Sequence, residues 1–285
     1  MPRFKLHSPP ALFILSALAS VGDSTCEKKK IVRRKYWNAL ETAGISFLIL
    51  LVLVAVQSAI ALWSVFNKVS SQEGDTSFKI DGTGVSFQGE ELNLYEFIGG
   101  DVLALSALAS SVVCAALTLL FIKIKKGYPT ARYLRLKSFK FRYLLGWIAI
   151  LVIYIVAGEI ASEYFDFSES EAFMRAIYLS SDHLWLLYLS VGVAAPVFEE
   201  IFFRGFMFRG LIRSPLKGHG TVWVTTILFT VIHTQYEPGV LLFVFGAGLI
   251  LGYARLYTRS LYVPVILHII NNTTSLILLE LSFKL

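Results

Sequence analysis

The sequence predicts an all-α membrane protein, a bundle of about seven transmembrane helices that encloses a polar cavity within the membrane. The chain of 285 residues is 55% hydrophobic and only 16% charged, whereas about a quarter of the residues in soluble domains are charged. Several apolar runs approach the ~20 residues that cross a bilayer as a helix. Polar and ionisable residues lie inside three of these runs, which predicts the cavity. The length and number of the runs argue against a soluble domain with core helices.

The charge pattern divides the chain into three regions. Residues 1–42 are predicted to form a cytoplasmic N-terminal tail. Residues 43–183 hold the N-terminal transmembrane helices, with an acidic outer loop at 67–96 and a basic cytoplasmic loop at 123–143. Residues 184–285 form a transmembrane core that carries the polar residues.

The first 26 residues admit two interpretations. Arg3 and Lys5 precede a short apolar stretch, and the Ala17-x-Ala19 pattern is typical of a secretory signal. Cleavage would leave the basic "EKKKIVRRKYW" outside, against the positive-inside rule. We therefore expect an interfacial tail, or an extension from a misassigned start codon, in preference to a cleaved signal.

Seven apolar runs are long enough to be considered as spans. Their approximate bounds are Ala43–Phe66, Phe97–Ile122, Leu144–Ala161, Leu184–Met207, Thr221–Thr234, Val240–Tyr257 and Leu261–Leu281. In the outer loop after the first span, "FKIDGTGVSF" predicts a small hairpin with a glycine-rich turn. The acidic segment "SEYFDFSESE" follows the third span.

The charges between the spans orient the bundle. The basic segments fall on one side of the membrane and the acidic loops on the other, which predicts a cytoplasmic N-terminus and an outer C-terminus. The basic and aromatic loop from Arg132 to Tyr143 is expected to lie against anionic lipid headgroups, not to bind RNA. We thus expect membrane lipids and no nucleic acid as partners. A bacterial cytoplasmic membrane is the expected location.

The fourth span carries three formal charges in "PVFEEIFFRG". Each ionised Glu or Arg near a helix centre costs roughly 2.5–3.5 kcal/mol on insertion scales. Glu200 and Arg204 are four residues apart, the spacing of an ion pair on one helix face. Glu199 lies about 100° further round the helix and is left free for chemistry. Pro196 predicts a kink just before the glutamates, and a helix end that reaches the interface is the alternative interpretation.

Two histidines also lie inside predicted spans. His233 follows Phe229 by four residues, and His268 precedes Asn272 by four, which places His268 and Asn272 on one helix face. Counted at ~1.5 Å per residue, Glu199, His233 and His268 lie roughly 13–20 Å in from the basic ends of their spans. Three spans that contribute polar groups at a similar depth predict a buried site.

The residue types permit more than one chemistry. A carboxylate and an imidazole can take a proton from water, while a second imidazole and a carboxamide stabilise the oxyanion of amide hydrolysis. Alternatively, Glu199, His233 and His268 could bind a divalent metal such as zinc with one open position. A third possibility is a non-catalytic scaffold or transporter that uses the polar cluster for binding, although the chain shows no internal repeat typical of a transporter.

Three motifs together carry a resemblance to a known family. They are EExxxR, FxxxH and HxxxN, formed by Glu199, Glu200 and Arg204, by Phe229 and His233, and by His268 and Asn272. This set resembles the CAAX-processing and bacteriocin-processing (CPBP, or Rce1/Abi) intramembrane endopeptidases over about residues 184–281. The motifs of the site-2 and rhomboid proteases, HExxH and G-x-S-G, are absent from the chain.

The resemblance implies a peptidase that hydrolyses a peptide bond near the membrane, in a peptide or membrane-protein substrate. It implies that Glu199 and His233 activate water and that His268 and Asn272 bind the oxyanion. Glu200, Arg204 and Phe229 would support these groups. It leaves open whether the mechanism uses a metal and whether prenylated peptides are recognised, because prokaryotic members have varied substrates.

Overall fold

The computed structural model describes residues 36–70, 79–80, 85–87, 90–92, 98–125, 127–162, 164 and 167–284. Within these ranges the protein is a bundle of helices with one small sheet, so the predicted all-α fold class is confirmed. The helices are α1 Ala39–Ser70, α2 Gly100–Ile124, α3 Thr130–Leu134, α4 Phe141–Ser162, α5 Ser168–Leu179, α6 Leu184–Leu211, α7 Lys217–Val231, α8 Pro238–Thr258 and α9 Tyr262–Ser282. The strands are β1 Lys79–Ile80, β2 Val85–Phe87 and β3 Glu90–Leu92.

Six of these helices, namely α1, α2, α4, α6, α8 and α9, are long and apolar enough to cross a membrane. The predicted number of about seven spans agrees with this apart from α7. That helix has 15 residues and is ~22 Å long, shorter than the ~30 Å hydrocarbon core. The prediction that the fifth span runs to Thr234 is therefore corrected, because the helix ends at Val231 and His233 lies in the turn that follows.

The first helix begins at Ala39, a few residues before the predicted span, because Asn38 and Glu41 cap its N-terminus. The backbone N–H of Glu41 donates to Asn38 Oδ1, and the N–H of Asn38 donates to Glu41 Oε2, both at 2.8 Å. This reciprocal arrangement satisfies two N–H groups at the helix start. Glu41 also pairs with Lys125 at 3.1 Å, which joins α1 to the end of α2. The predicted tail before residue 36 lies outside the described residues.

The hairpin predicted in the outer loop is present. Lys79 pairs with Ser86 and Ile80 with Val85 in an antiparallel register, and β3 adds a third strand beside β2. The residues of the predicted turn, 81–84, lie outside the described residues. After the third span, the acidic segment continues into the helix α5, whose Ser170 exchanges backbone-to-side-chain hydrogen bonds with Glu237 at 3.4 Å.

Helix α6 lies at the centre of the bundle. Of its most apolar window, 44% is buried, against 11% for α1 and for α4, so the outer helices turn their apolar side chains toward lipid. Phe202, Phe203 and Phe206 of α6 are fully buried in a cluster with residues of α1 and α2. The helix that carries the charges is therefore the one most completely surrounded by protein.

The basic loop between α2 and α4 docks onto the bundle. Tyr133 and Leu134 are buried, and the Tyr133 ring stacks on Phe206 with centroids 6.4 Å apart. The carbonyl of Lys137 accepts a hydrogen bond of 2.7 Å from Ser260 Oγ in the turn between α8 and α9. Arg132 remains exposed. Part of the loop is thus packed against protein. Contact of the exposed Arg132 with lipid headgroups stays a prediction.

At the opposite end of α2, Asp101 fixes the segment that leads into α6. Its carboxylate contacts His183 Nδ1 at 2.7 Å and accepts the His183 backbone N–H at 3.1 Å. The hydrogen bond to Asp101 raises the pKa of His183. Because the pKa is raised, the contact stabilises the folded state fully below the ordinary value of about 6.5. This stabilisation is lost as the pH rises through the raised pKa.

We expect the pKa of His183, measured by NMR in detergent, to lie above 6.5 and to fall toward the ordinary value in Asp101→Asn. Asp182→Asn is the control, because Asp182 contributes less to the raised pKa than Asp101. The thermal midpoint of the wild type should decline more than that of Asp101→Asn between about pH 5.5 and 8. An equal pKa of His183 in the wild type and in Asp101→Asn would contradict the conclusion that Asp101 raises it.

Candidate active site

The helix α6 changes its hydrogen-bonding pattern on both sides of the glutamates. It is π-helical over Tyr188–Ala194, α-helical over Ala195–Glu199 and π-helical again over Glu200–Met207. Pro196 lies at the change from the first π segment to the short α segment, inside a continuous helix, where its nitrogen cannot donate to the preceding turn. The kink predicted at Pro196 stays a prediction. Such π segments within α-helices occur frequently at functional sites.

Glu200 and Arg204 form the ion pair that their spacing predicts. Arg204 Nη1 lies 2.9 Å from Glu200 Oε1, and both side chains are fully buried. The other terminal nitrogen, Nη2, donates to the carbonyl of Gly248 on α8 at 2.9 Å. The guanidinium also lies over the Phe229 ring, 4.6 Å from its centroid, a favourable cation–π arrangement. The alternative of charges that snorkel to the interface does not apply to this pair.

His268 of α9 lies between the two glutamates. Its Nδ1 is 3.0 Å from Glu200 Oε1, and its Nε2 is 3.7 Å from Glu199 Oε2. Because Glu200 already pairs with Arg204, its carboxylate accepts and Nδ1 of His268 donates. Glu200 thereby fixes the orientation of the imidazole and directs Nε2 toward Glu199.

Glu199 keeps the free oxygen that the sequence predicts. Its side chain is 14% exposed, and Oε2 is buried without a hydrogen-bond partner among the described residues. The separation of 3.7 Å from His268 Nε2 is too long for a direct hydrogen bond and is one at which a bridging water should be considered. A buried carboxylate oxygen without a hydrogen-bond partner costs free energy. The site therefore favours binding of a water or another polar ligand.

The ring of Phe229 contacts both His233 and His268. Its ring centroid lies 4.7 Å from that of His233 and 5.6 Å from that of His268. His233 Nδ1 is 2.7 Å from the Phe229 carbonyl, and a carbonyl only accepts, so Nδ1 carries the proton. In the neutral imidazole this leaves Nε2 as an acceptor.

Asn272 lies one turn beyond His268, on the same face of α9. Its Nδ2 donates to the Val191 carbonyl at 3.0 Å, within the first π segment of α6. Its Oδ1 accepts from Asn271 Nδ2 at 3.3 Å. One N–H of the Asn272 amide thus orients the side chain, and the second remains for a ligand.

The residues proposed as metal ligands are not arranged as a three-ligand site. The described part of the chain has no group of three His, Cys, Asp or Glu side chains placed to hold one ion. Nδ1 of His268 is hydrogen-bonded to Glu200, which leaves Nε2 as its one available nitrogen, and the Phe229 ring contacts both imidazoles. The arrangement does not fit a zinc ion bound by Glu199, His233 and His268 together.

Three residues at the site were not singled out by the motifs. Gly248 on α8 lies where α7 approaches closely, and its carbonyl accepts the Arg204 hydrogen bond. Arg255 on α8 donates from Nε to the Arg204 carbonyl at 2.9 Å. Tyr236 stacks on His233 with ring centroids 6.3 Å apart. The position of Tyr236, three residues after His233, is the sequence feature that could have indicated this contact. Arg255 resembles the other basic residues at the ends of spans and gives no such indication.

Comparison with known proteins agrees with the motif set. Residues 181–274 match the model of a family described as type II CAAX prenyl endopeptidase Rce1-like. This range contains all seven motif residues, and the resemblance predicted from them is confirmed. No solved structure matches the chain significantly.

Two relatives illustrate the similarity. Over 169 residues the chain is 25% identical to the membrane-embedded CAAX protease MroQ of Staphylococcus aureus (strain USA300), a match that covers 55% of this chain and 67% of the relative. Over 115 residues it is 33% identical to an uncharacterized 24.3 kDa protein of Escherichia coli, covering 38% of this chain and 52% of the relative. The similarity and the apolar helices together support an integral, multi-pass membrane protein.

Removing Arg204 should destabilise the fold strongly, because Glu200 would remain as an unpaired buried charge. We expect Arg204→Ala to lose about 3–5 kcal/mol of stability, measured by thermal or denaturant unfolding in detergent. Lys284→Ala is the matched control, since Lys284 pairs with Glu280 at the same spacing but is 65% exposed. Similar unfolding curves for the two variants would contradict the structural role of the buried pair.

Gly248 should not tolerate a methyl group. A Cβ there would lie 2.9 Å from Thr226 Cγ2 and 3.2 Å from Phe229 Cδ1, so α7 and α8 would have to separate. We expect Gly248→Ala to cost about 1–3 kcal/mol in unfolding measurements. Gly146→Ala, where nothing lies within 4 Å of the new atom, should be neutral or stabilising. A neutral Gly248→Ala would refute the close packing.

Proposed function

We propose that this protein is an intramembrane endopeptidase in which Glu199 activates a water molecule for attack on a peptide bond. The observation that carries the proposal is the free, buried Oε2 of Glu199, which faces Nε2 of His268 at 3.7 Å. The adjacent Glu200 accepts from both Arg204 and His268 through Oε1, while its Oε2 is buried without a partner among the described residues. Two neighbouring glutamates thus have different tasks, one structural and one chemical.

The catalytic water is proposed to lie between Glu199 and His268. Oε2 of Glu199 and Nε2 of His268 are 3.7 Å apart, so one water can hydrogen-bond to both groups. A water placed there can accept a hydrogen bond from one group and donate to the other. This arrangement positions the water and supplies its base within one buried site.

The reaction follows from these proton positions. Glu199 removes a proton from water as the oxygen attacks the carbonyl carbon, and the C=O π electrons move onto the carbonyl oxygen. The second N–H of Asn272 and the protonated Nε2 of His268 can donate to this oxyanion. When the C–N bond breaks, Glu199 returns the proton to the departing amine. No covalent enzyme intermediate is formed.

His233 contributes through Nε2. The hydrogen bond from Nδ1 to Phe229 leaves Nε2 able to accept, so His233 can hold the attacking water as the family resemblance implies. The contacts of Glu199 favour His268 as its direct partner. Both imidazoles contact the ring of Phe229.

The proposed substrate is a peptide or membrane-protein segment that enters the bundle. The name of the Staphylococcus aureus relative describes it as a membrane-embedded CAAX protease, which suggests peptides ending in such a sequence as first probes. Comparing a farnesylated and an unmodified form of one fluorogenic peptide separates recognition of the lipid from recognition of the peptide.

We expect Glu199→Gln to lower the cleavage rate by about 10²–10⁴-fold, the usual contribution of a general base. Glutamine keeps the shape of glutamate but cannot take the proton. Glu159→Gln on the exposed face of α4 is the matched control and should cleave like the wild type. The measurement is peptide cleavage in detergent by all three proteins.

The same assay with a strong chelator addresses the metal alternative. Activity that persists under chelator and is absent in Glu199→Gln supports activation of water by the glutamate alone. Activity that the chelator abolishes would favour a metal site. Equal cleavage by wild type and Glu199→Gln would overturn the peptidase proposal and favour a binding scaffold.

A further inference from the structure

A pocket lies at the end of the bundle where α6 ends, α7 begins and α8 ends. The basic segments of the sequence fall on this side. The volume of the pocket is about 490 Å³. We call it the basic pocket, and the lining residues used below are Arg135, Arg209, Gly218, His219, Arg255 and Arg259. None of the residues proposed for peptide hydrolysis lines it.

The basic pocket carries a concentrated positive charge. Four arginines line it, and no acidic residue is among the lining residues of the described chain. Ion pairs involving these four arginines are also absent from the described residues. Like charges brought together at low dielectric repel strongly, so this arrangement favours a bound anion.

Two of the arginines are buried and incompletely paired. Arg255 is 3% and Arg209 is 6% exposed. Arg255 Nε donates to the Arg204 carbonyl and Arg209 Nη2 to Tyr36 Oη, both at 2.9 Å, but Arg255 Nη2 and Arg209 Nε have no partner in the described chain. Buried donors of this kind cost free energy unless a ligand or water accepts from them.

The backbone around the pocket adds a further observation. Arg135 and Arg259 have φ angles of 62° and 54°, and Arg259 caps the C-terminus of α8 in the left-handed conformation. Glycine is the usual residue at such positions. An arginine there keeps a charged side chain at the pocket at the expense of backbone strain.

The N-terminus of α7 also borders the pocket. Gly218 and His219, in its first turn, line the pocket. The helix has no side-chain cap and no acidic residue in that turn. Its first N–H groups and the positive end of its dipole therefore add to the field of the arginines.

We propose that the basic pocket binds a phosphate group, carried either by a phospholipid headgroup or by free phosphate. Guanidinium groups bind phosphate oxygens with paired hydrogen bonds, and four of them converge here. A phosphate there would offset the positive charge of the four lining arginines. Arg209 belongs to α6, the helix that carries the glutamates, and Arg255 holds the Arg204 carbonyl of the same helix.

The test uses the full chain, freed of lipid, in an uncharged detergent. Inorganic phosphate is added against sodium chloride of equal ionic strength, and the rise in unfolding temperature is measured. In a second arm, binding to mixed micelles that contain phosphatidic acid is compared with binding to micelles that contain only phosphatidylcholine. Protection by inorganic phosphate identifies the free ion as a ligand, whereas binding confined to phosphatidic acid identifies a headgroup.

The variant is the double substitution Arg135→Gln and Arg259→Gln, which leaves the buried Arg209 and Arg255 in place. We expect it to weaken binding about tenfold or more, as for loss of charged hydrogen bonds. Arg132→Gln with Arg142→Gln is the matched control, because these arginines are exposed and do not line the pocket. Absence of binding to the wild type in both arms, or equal weakening in both double variants, would overturn the proposal.

Discussion

Holding Glu200 and Arg204 inside a membrane bundle is the constraint on which the rest of the site depends. Two isolated charges at this depth would each be expensive, and their attraction offsets that expense only with good geometry and additional hydrogen bonds. The structure supplies these from three directions: the Gly248 carbonyl, His268 Nδ1 and the Phe229 face. These contacts bring α7, α8 and α9 to α6, while Glu200 Oε2 and Arg204 Nε have no partner among the described residues.

This arrangement explains why the family motifs are spread over three helices. FxxxH contributes the aromatic face that covers the arginine and the imidazole that follows it. HxxxN contributes a histidine oriented by Glu200 and an amide held by the Val191 carbonyl, which lies in a π segment. The Val191 carbonyl in α6 thus orients Asn272 on α9. Oε2 of Glu199 receives no hydrogen bond from the same set of contacts.

The sequence predicts the periodic and pairwise parts of this structure. Length and hydropathy place the six long helices to within a few residues, and the four-residue spacing predicts the Glu200–Arg204 pair. The end of α7 was placed too late because "VIHT" continues an apolar pattern past the point where the helix stops. The partner of Arg255 and the role of the Gly248 carbonyl could not be predicted, since both depend on how separate helices dock. The π segments have no local signal apart from Pro196.

The short helix α7 has a consequence for the surrounding lipid. It presents exposed apolar residues such as Trp223, Ile227 and Val231, but at ~22 Å it falls short of the ~30 Å core. Lipid beside a short span thins to match it, at a modest free-energy cost for each ångström. A bilayer with shorter acyl chains would match α7 more closely on this flank, so membrane thickness is a variable to which the bundle is expected to respond.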